Sequence, residues 1–303
     1  MHPTLSRHLK EIILVASLLS GSAQAESITA IKIWTRAPGK HQKSAVEPRN
    51  LQHVQINKLK TIHKKLIDIQ YDLTENYEGI YLRDLVAGYN AKNNDLIILH
   101  FSNNTLIPMS KNDFDEKFSR TVFLAIKIKI GKKWTSEFPK SRYGYSMHQN
   151  PLPVEFSGNK LVVSSGIHPY VDWKGEKDFS PWKFAASLVG IEYAERNAYE
   201  RQFSVTQNVK AIEGQMIFLS RCQYCHGVNQ LGAQFGWNVN GPIPLYQKRD
   251  AGSLFLKVKY PKVKGNYLDT GMPNQRDFTE DEAKSLWEWL KAATKFNTLD
   301  YRP

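Results

Sequence analysis

The segment Arg221-Cys222-Gln223-Tyr224-Cys225-His226-Gly227 constrains this chain more than any other. Its cysteines are the only two among 303 residues. Two thiols three residues apart, followed directly by a histidine, form the C-x-x-C-H signature of covalent haem attachment. Each thiol can add to a vinyl group on the same porphyrin edge, and the histidine is then placed under the iron as an axial ligand. We therefore predict one covalently bound haem c, held by Cys222, Cys225 and His226.

Other uses of the cysteine pair fit the sequence less well. A disulfide between Cys222 and Cys225 would close a very small loop and would leave His226 without a role. A thioredoxin-type pair expects a neighbouring βαβ pattern and no adjoining histidine. A structural zinc site requires two further ligands, and no other cysteine exists to supply them.

The N-terminal segment has the order of elements found in a secretory signal. Basic residues from Arg7 to Lys10 precede an apolar run at 12–19, and the segment ends in Ala23-Gln24-Ala25. This order predicts a signal peptide over residues 1–25, cleaved after Ala25. The apolar run is shorter than the ~20 residues of a membrane-spanning helix. We therefore expect a periplasmic protein without a membrane span in its mature chain, which agrees with the attachment of c-type haem outside the bacterial cytoplasm.

The length of the chain favours two domains, at a prior of ~150 residues per domain. Alternating and β-branched runs at 28–34, 95–101 and 121–130 predict short strands, whereas residues 51–66 fit a helix or a strand equally well. We predict an α+β domain with a mixed sheet at residues 26–204 and an all-α domain at residues 205–303.

The C-terminal domain resembles the class I cytochromes c. The residues that carry the resemblance are Gly214 and Phe218 on one helix face, followed by Cys222 and the rest of the C-x-x-C-H segment. In that family the face packs against the last helix. The resemblance implies that Trp289 meets it there, with Trp287 as the neighbouring alternative.

Two further loops complete the expected haem environment. Met272 is followed by Pro273 and lies in a loop before the last helix, and we predict from this position that it is the distal ligand. A thioether sulfur ligand favours reduced iron. Gly241 and Pro242 resemble the family's loop in which a proline carbonyl accepts the ring N–H of the proximal histidine. Thr279 and Glu282 form a capping box that predicts where the last helix begins.

Residues 60–195 resemble the molybdopterin-binding domain of the sulfite oxidase family. The matching pieces are Gly79 to Val86, Leu96 to Ile107, Asp113 to Glu116, Leu124 to Lys132 and Ser180 to Glu192. Enzymes of that family bind molybdenum through a cysteine thiolate, and this region has no cysteine. Because this cysteine is missing, molybdopterin is a doubtful cofactor. The resemblance then implies a retained fold that serves for docking or as a scaffold.

The leading hypothesis is thus an exported electron-transfer protein rather than an enzyme. The alternatives are a molybdopterin-dependent oxidoreductase fused to its own electron acceptor, and a haem-based peroxidase or gas sensor, which would need an open iron site. A formal net charge of +12 favours an acidic redox partner or an anionic membrane surface, although a generally basic surface explains the charge equally well. Nucleic acid is excluded as a partner because an exported protein does not meet it.

Overall fold

The computed structural model describes residues 28–36, 48–71, 73–89, 94–118, 121–141, 154–163, 181–205, 208–229, 231–241, 243–261, 272 and 275–295. The predicted signal peptide, residues 1–25, lies outside these ranges. None of the helices within them has the length and apolarity that crossing a bilayer requires.

The N-terminal region consists mainly of two β-sheets. Its strands are β1 (Ala30–Arg36), β2 (Pro48–Gln55), β3 (Ile62–Asp68), β4 (Leu73–Tyr81), β5 (Leu96–Phe101), β6 (Leu106–Ser110), β7 (Phe123–Ile130), β8 (Lys133–Thr135), β9 (Lys160–Val162) and β10 (Leu188–Ala194). The first sheet has the order β2-β1-β10-β5-β6, and the second has the order β3-β4-β7-β8 with β9 also paired to β7. Strands β1 and β10 pair in parallel, so the first sheet is mixed. The described part of the C-terminal region adds a small hairpin of β11 (Gly227–Val228) and β12 (Leu231–Gly232).

The structure resolves the ambiguous segment 51–66 into parts of two strands. Strand β2 pairs with β1 in the first sheet, a short 3₁₀ turn at Ile56–Lys58 follows, and β3 pairs with β4 in the second sheet. Gly79 lies inside β4, and a Cβ there would overlap the carbonyl oxygen of Leu124 on β7, so the close pairing of these strands requires glycine. A short helix begins three residues later, at Leu82. Strand pairing at a distance, which local propensity does not encode, decided these differences.

Helices are few in the N-terminal region and dominate the C-terminal one. They are α1 (Leu82–Val86), α2 (Lys111–Asp113), α3 (Arg196–Glu200), α4 (Val209–Ile217), α5 (Leu245–Lys248), α6 (Ala251–Lys259) and α7 (Glu280–Lys295). Helix α4 continues into a π turn at Phe218–Cys222. The predicted capping box at the start of α7 is confirmed: the backbone N–H of Glu282 donates to Thr279 Oγ1 at 3.1 Å, and that of Thr279 donates to Glu282 Oε2 at 2.8 Å.

Helices α4 and α7 cross in direct contact at Gly214. A Cβ at this position would overlap the carbonyl oxygen of Ser285, so only glycine allows the approach. One turn further along α4, the rings of Phe218 and Trp289 stack with their centroids 4.5 Å apart. The predicted contact through Trp289 is therefore confirmed, while the indole N–H of Trp287 donates to the carbonyl oxygen of Arg249 at 3.0 Å.

The first sheet lies between two hydrophobic cores. On one face Ile33 and Ile97 join a core with residues of the second sheet, and on the other face Ile98 joins a core with Phe218 and Trp289. Each large apolar side chain buried in this way stabilises the fold by roughly 1.5–3 kcal/mol. The α+β region and the helical region therefore share a core instead of being separate bodies on a free linker.

Candidate haem-binding site

The two cysteines lie on one turn at the end of the π segment that extends α4. The backbone N–H groups of Cys225 and His226 donate to the carbonyl oxygen of Cys222 at 3.1 and 2.9 Å, which closes the turn. Both cysteines are free thiols and half-buried. Burial raises the pKa of each thiol to about 12. A redox-active pair instead requires a lowered thiol pKa, so the environment disfavours disulfide exchange and leaves two neutral thiols side by side.

The ring of His226 is held in the form that a metal ligand needs. Its Nδ1 lies 2.8 Å from the carbonyl oxygen of Trp237, so Nδ1 carries the proton and donates it. Burial lowers the pKa of the imidazole, although the bond to Trp237 opposes the shift. The lone pair of a neutral ring with this tautomer lies on Nε2, where iron would bind.

Gly236 is packed against the histidine ring. Its backbone N–H donates to the carbonyl oxygen of Cys225 at 2.6 Å, and a Cβ on Gly236 would overlap the ring atoms of His226. The loop carrying Gly236 and Trp237 therefore fixes both the position and the tautomer of the ring. Sequence reasoning identified neither Gly236 nor the carbonyl oxygen of Trp237 as the acceptor, although a glycine close behind a proposed ligand was a usable signal.

The ring N–H of His226 has a different acceptor in the structure from the proline that the resemblance implied. The resemblance assigned the bond from His226 to Pro242, and the structure instead gives the acceptor as Trp237, five residues earlier. Pro242 lies outside the described residues. Gly241 belongs to a turn in which its N–H is 3.5 Å from the carbonyl oxygen of Asn238. A loop after the attachment turn does accept the hydrogen bond from His226, and Trp237 is the residue that accepts it.

The donor atoms on the turn and on the adjoining core suit a haem. Met272 is half-buried and packs against the same hydrophobic cluster as Cys222, so the structure brings the predicted distal sulfur to the core that holds the attachment turn. Within the described residues of the C-terminal region, seven large apolar side chains are 42–75% exposed: Val209, Ile212, Met216, Trp237, Ile243, Leu256 and Tyr260. Among them, Trp237 is placed at the site by its bond to His226. Two thiols, a neutral imidazole and a thioether are together the donor set that a haem c requires.

Arg221 joins the attachment turn to the segment that follows Met272. Its guanidinium donates twice to the carboxylate of Asp277, at 2.9 Å each, and once to Glu282 at 3.1 Å. A further bond reaches Gln275 Oε1 at 3.1 Å. The arginine is nearly fully buried. Bidentate pairing of this kind is strong and directional. It therefore fixes the attachment turn relative to the segment that follows Met272.

The C-terminal region combines the features of a small helical haem domain. One turn carries two thiols and a neutral imidazole, and a thioether packs on the same core. Helices α4 and α7 cross at Gly214. Residues 211–294 match the family model described as Cytochrome c. The match supports a class I cytochrome c domain at the C-terminus, with haem c as its cofactor and haem-based electron transfer as its role. Residues 1–210 lie outside the match, and the resemblance to the sulfite oxidase domain gains no support. No curated protein matches the chain.

Proposed function

We propose that this protein transfers single electrons through one haem c, bound covalently by Cys222 and Cys225 and ligated by His226 and Met272. The observation that carries the proposal is the attachment turn itself. It presents both thiols and a neutral imidazole with the correct tautomer, within one turn of backbone. Haem iron, once bound, supplies a one-electron couple between its ferric and ferrous states.

Each residue of the site has a distinct part in this role. Cys222 and Cys225 would hold the haem covalently through their sulfur atoms, in thioether bonds whose formation would consume no oxidant. The hydrogen bond from His226 to Trp237 makes the imidazole a stronger donor. Met272 supplies a soft sulfur ligand that favours the reduced state. Because His226 and Met272 would both hold the iron, no open position would remain for a substrate, which would favour outer-sphere electron transfer.

The wider proposal places this domain in the periplasm with an acidic redox partner. The chain carries a net charge of +12. Four lysines lie close together in the sequence: Lys257 and Lys259 in the last turn of α6, and Lys262 and Lys264, which lie outside the described residues. If they surround the haem edge, their positive charge would speed encounter with an acidic protein. The N-terminal region serves as a docking or scaffold module.

A haem-attachment experiment tests the proposal directly. The full chain is produced in bacteria with an active cytochrome c maturation system, and denatured protein is examined for haem that remains bound to the polypeptide. We expect one haem and one iron per chain, no molybdenum, and a reduced spectrum that carbon monoxide does not alter. Loss of all haem on denaturation of the wild-type chain would refute covalent attachment. The variant Cys222→Ala, Cys225→Ala is the matched control and should retain none.

A further inference from the structure

The β5–β6 hairpin of the N-terminal region forms main-chain hydrogen bonds on both sides of the haem-attachment turn. The backbone N–H of Leu106 at the start of β6 donates to the carbonyl oxygen of Tyr224 at 3.1 Å. In the turn of the same hairpin, the carbonyl oxygen of Asn104 accepts from the backbone N–H of Gln234 at 3.0 Å. These are main-chain bonds between segments more than 100 residues apart. They attach the hairpin to the chain on both sides of the proximal histidine.

Both bonds reach residues that are close to His226 along the chain. Tyr224 lies two residues before the histidine. Gln234 lies two residues before Gly236, which packs against the imidazole, and three before Trp237, which accepts its Nδ1–H. The hairpin therefore holds both strands of the loop that encloses the ring.

The two residues between the cysteines are also anchored in the structure. The side chain of Tyr224 is fully buried and belongs to the hydrophobic core of the N-terminal region, against which Cys225 also packs. Gln223 is buried as well, and its side-chain oxygen accepts from the hydroxyl of Tyr199 on α3 at 3.0 Å. The turn is thus inserted into the N-terminal region instead of facing solvent.

The hairpin is rigid enough to act as an anchor. The N–H of Ser102 donates to the carbonyl oxygen of Ser187 at 2.8 Å, and the side-chain amide of Asn103 donates to that of Phe184 at 2.8 Å. Asn104 has a positive φ of 62°, a conformation that asparagine tolerates better than most residues. The tip of the hairpin is therefore fixed to the N-terminal region independently of its contacts with the haem domain.

We infer that the β5–β6 hairpin is a positioning element for the proximal haem ligand, so that the N-terminal region sets the reduction potential of the haem. The inference rests on the proposed function. The hairpin holds the loop in the place where the carbonyl oxygen of Trp237 accepts a hydrogen bond from Nδ1–H of His226, and this bond increases the donor strength of the ring. Loosening the hairpin weakens the bond, lowers the electron donation to iron and shifts the midpoint potential upward.

The variant Leu106→Pro tests the inference because it removes only one backbone donor from an edge strand. Pro108, two residues along and on the same side of β6, shows that this edge accepts a residue without an N–H. The matched control is Leu106→Ala, which keeps the N–H and shortens the side chain. Both are compared as full-chain holoproteins by midpoint potential and by amide hydrogen exchange of the peptide covering residues 222–237.

We expect Leu106→Pro to raise the midpoint potential and to accelerate exchange in this peptide at least tenfold, while Leu106→Ala changes both much less. Wild-type values in a folded Leu106→Pro holoprotein would overturn the inference, and so would equal shifts in the two variants. Where Leu106→Pro does not fold, Tyr224→Leu takes its place with the same two outcomes. Absence of covalent haem from the wild-type protein would instead refute the proposed function, so the two failures are distinguishable.

Discussion

Replacing Arg221 by glutamine tests how firmly the two halves of the site are joined. Arg221 precedes the first haem cysteine, and its partners Gln275, Asp277 and Glu282 follow Met272 along the chain. The variant Arg221→Gln removes the positive charge and its bidentate geometry. It leaves two carboxylates beside each other without their cation.

The size of the effect follows from the burial of the pair. The side chain of Arg221 is 7% exposed, while those of Asp277 and Glu282 are 27% and 28% exposed. Breaking a fully buried pair costs about 3–5 kcal/mol, and hydrogen bonds to charged groups contribute about 1.5–3 kcal/mol. Because water reaches both carboxylates and screens them, we expect the lower end, about 3 kcal/mol. At ~2–4 °C per kcal/mol, the melting temperature falls by about 6–12 °C.

Thermal unfolding of the holoprotein, followed by circular dichroism, measures this loss. The matched control is Arg201→Gln, whose arginine is 72% exposed and 3.9 Å from Glu195, and which should cost at most about 1 kcal/mol. We also expect a weaker sulfur-to-iron band in Arg221→Gln, because the segment after Met272 is no longer held. Equal melting temperatures for the two variants would refute the reasoning.

Three further predictions concern the ligand, the helix crossing and the N-terminal core. Met272→Ala should abolish the weak sulfur-to-iron band near the red end of the oxidised spectrum and lower the midpoint potential, and an unchanged spectrum would contradict Met272 as the ligand. Gly214→Ala should cost about 1–3 kcal/mol or more in chemical denaturation because its Cβ overlaps Ser285 on α7, whereas Gly252→Ala on α6, where space is available, should cost almost nothing. Lys160→Met should cost about 3–5 kcal/mol, since it leaves the buried carboxylate of Asp68 without its cation at 2.6 Å. The double variant with Asp68→Leu should recover only part of the loss, because Tyr77 and Gln70 then lose their acceptor. A double variant no more stable than Lys160→Met would exclude that explanation.

Much of the helical region was predictable because its signals are local. The capping residues Thr279 and Glu282 are three apart, and Gly214 and Phe218 are four apart, so each pair lies on one turn of helix. The structure confirms the contacts expected of them. In the N-terminal region the runs at 28–34, 95–101 and 121–130 also coincide with β1, β5 and β7. The division of residues 51–66 was not predictable, because its two ends pair with strands of two different sheets.

The sequence by itself determined the chemistry of the site. Cys222, Cys225 and His226 are adjacent along the chain, so bond geometry alone brings them to one turn. Only the tertiary structure decided what surrounds that turn: Trp237 as the acceptor for the histidine, Arg221 as the link to the segment beyond Met272, and the β5–β6 hairpin as its anchor. These contacts join segments separated by 11 to more than 100 residues. The packing of the sheets and helices decides which distant residues come into contact. The spacing of residues along the chain does not predict these contacts.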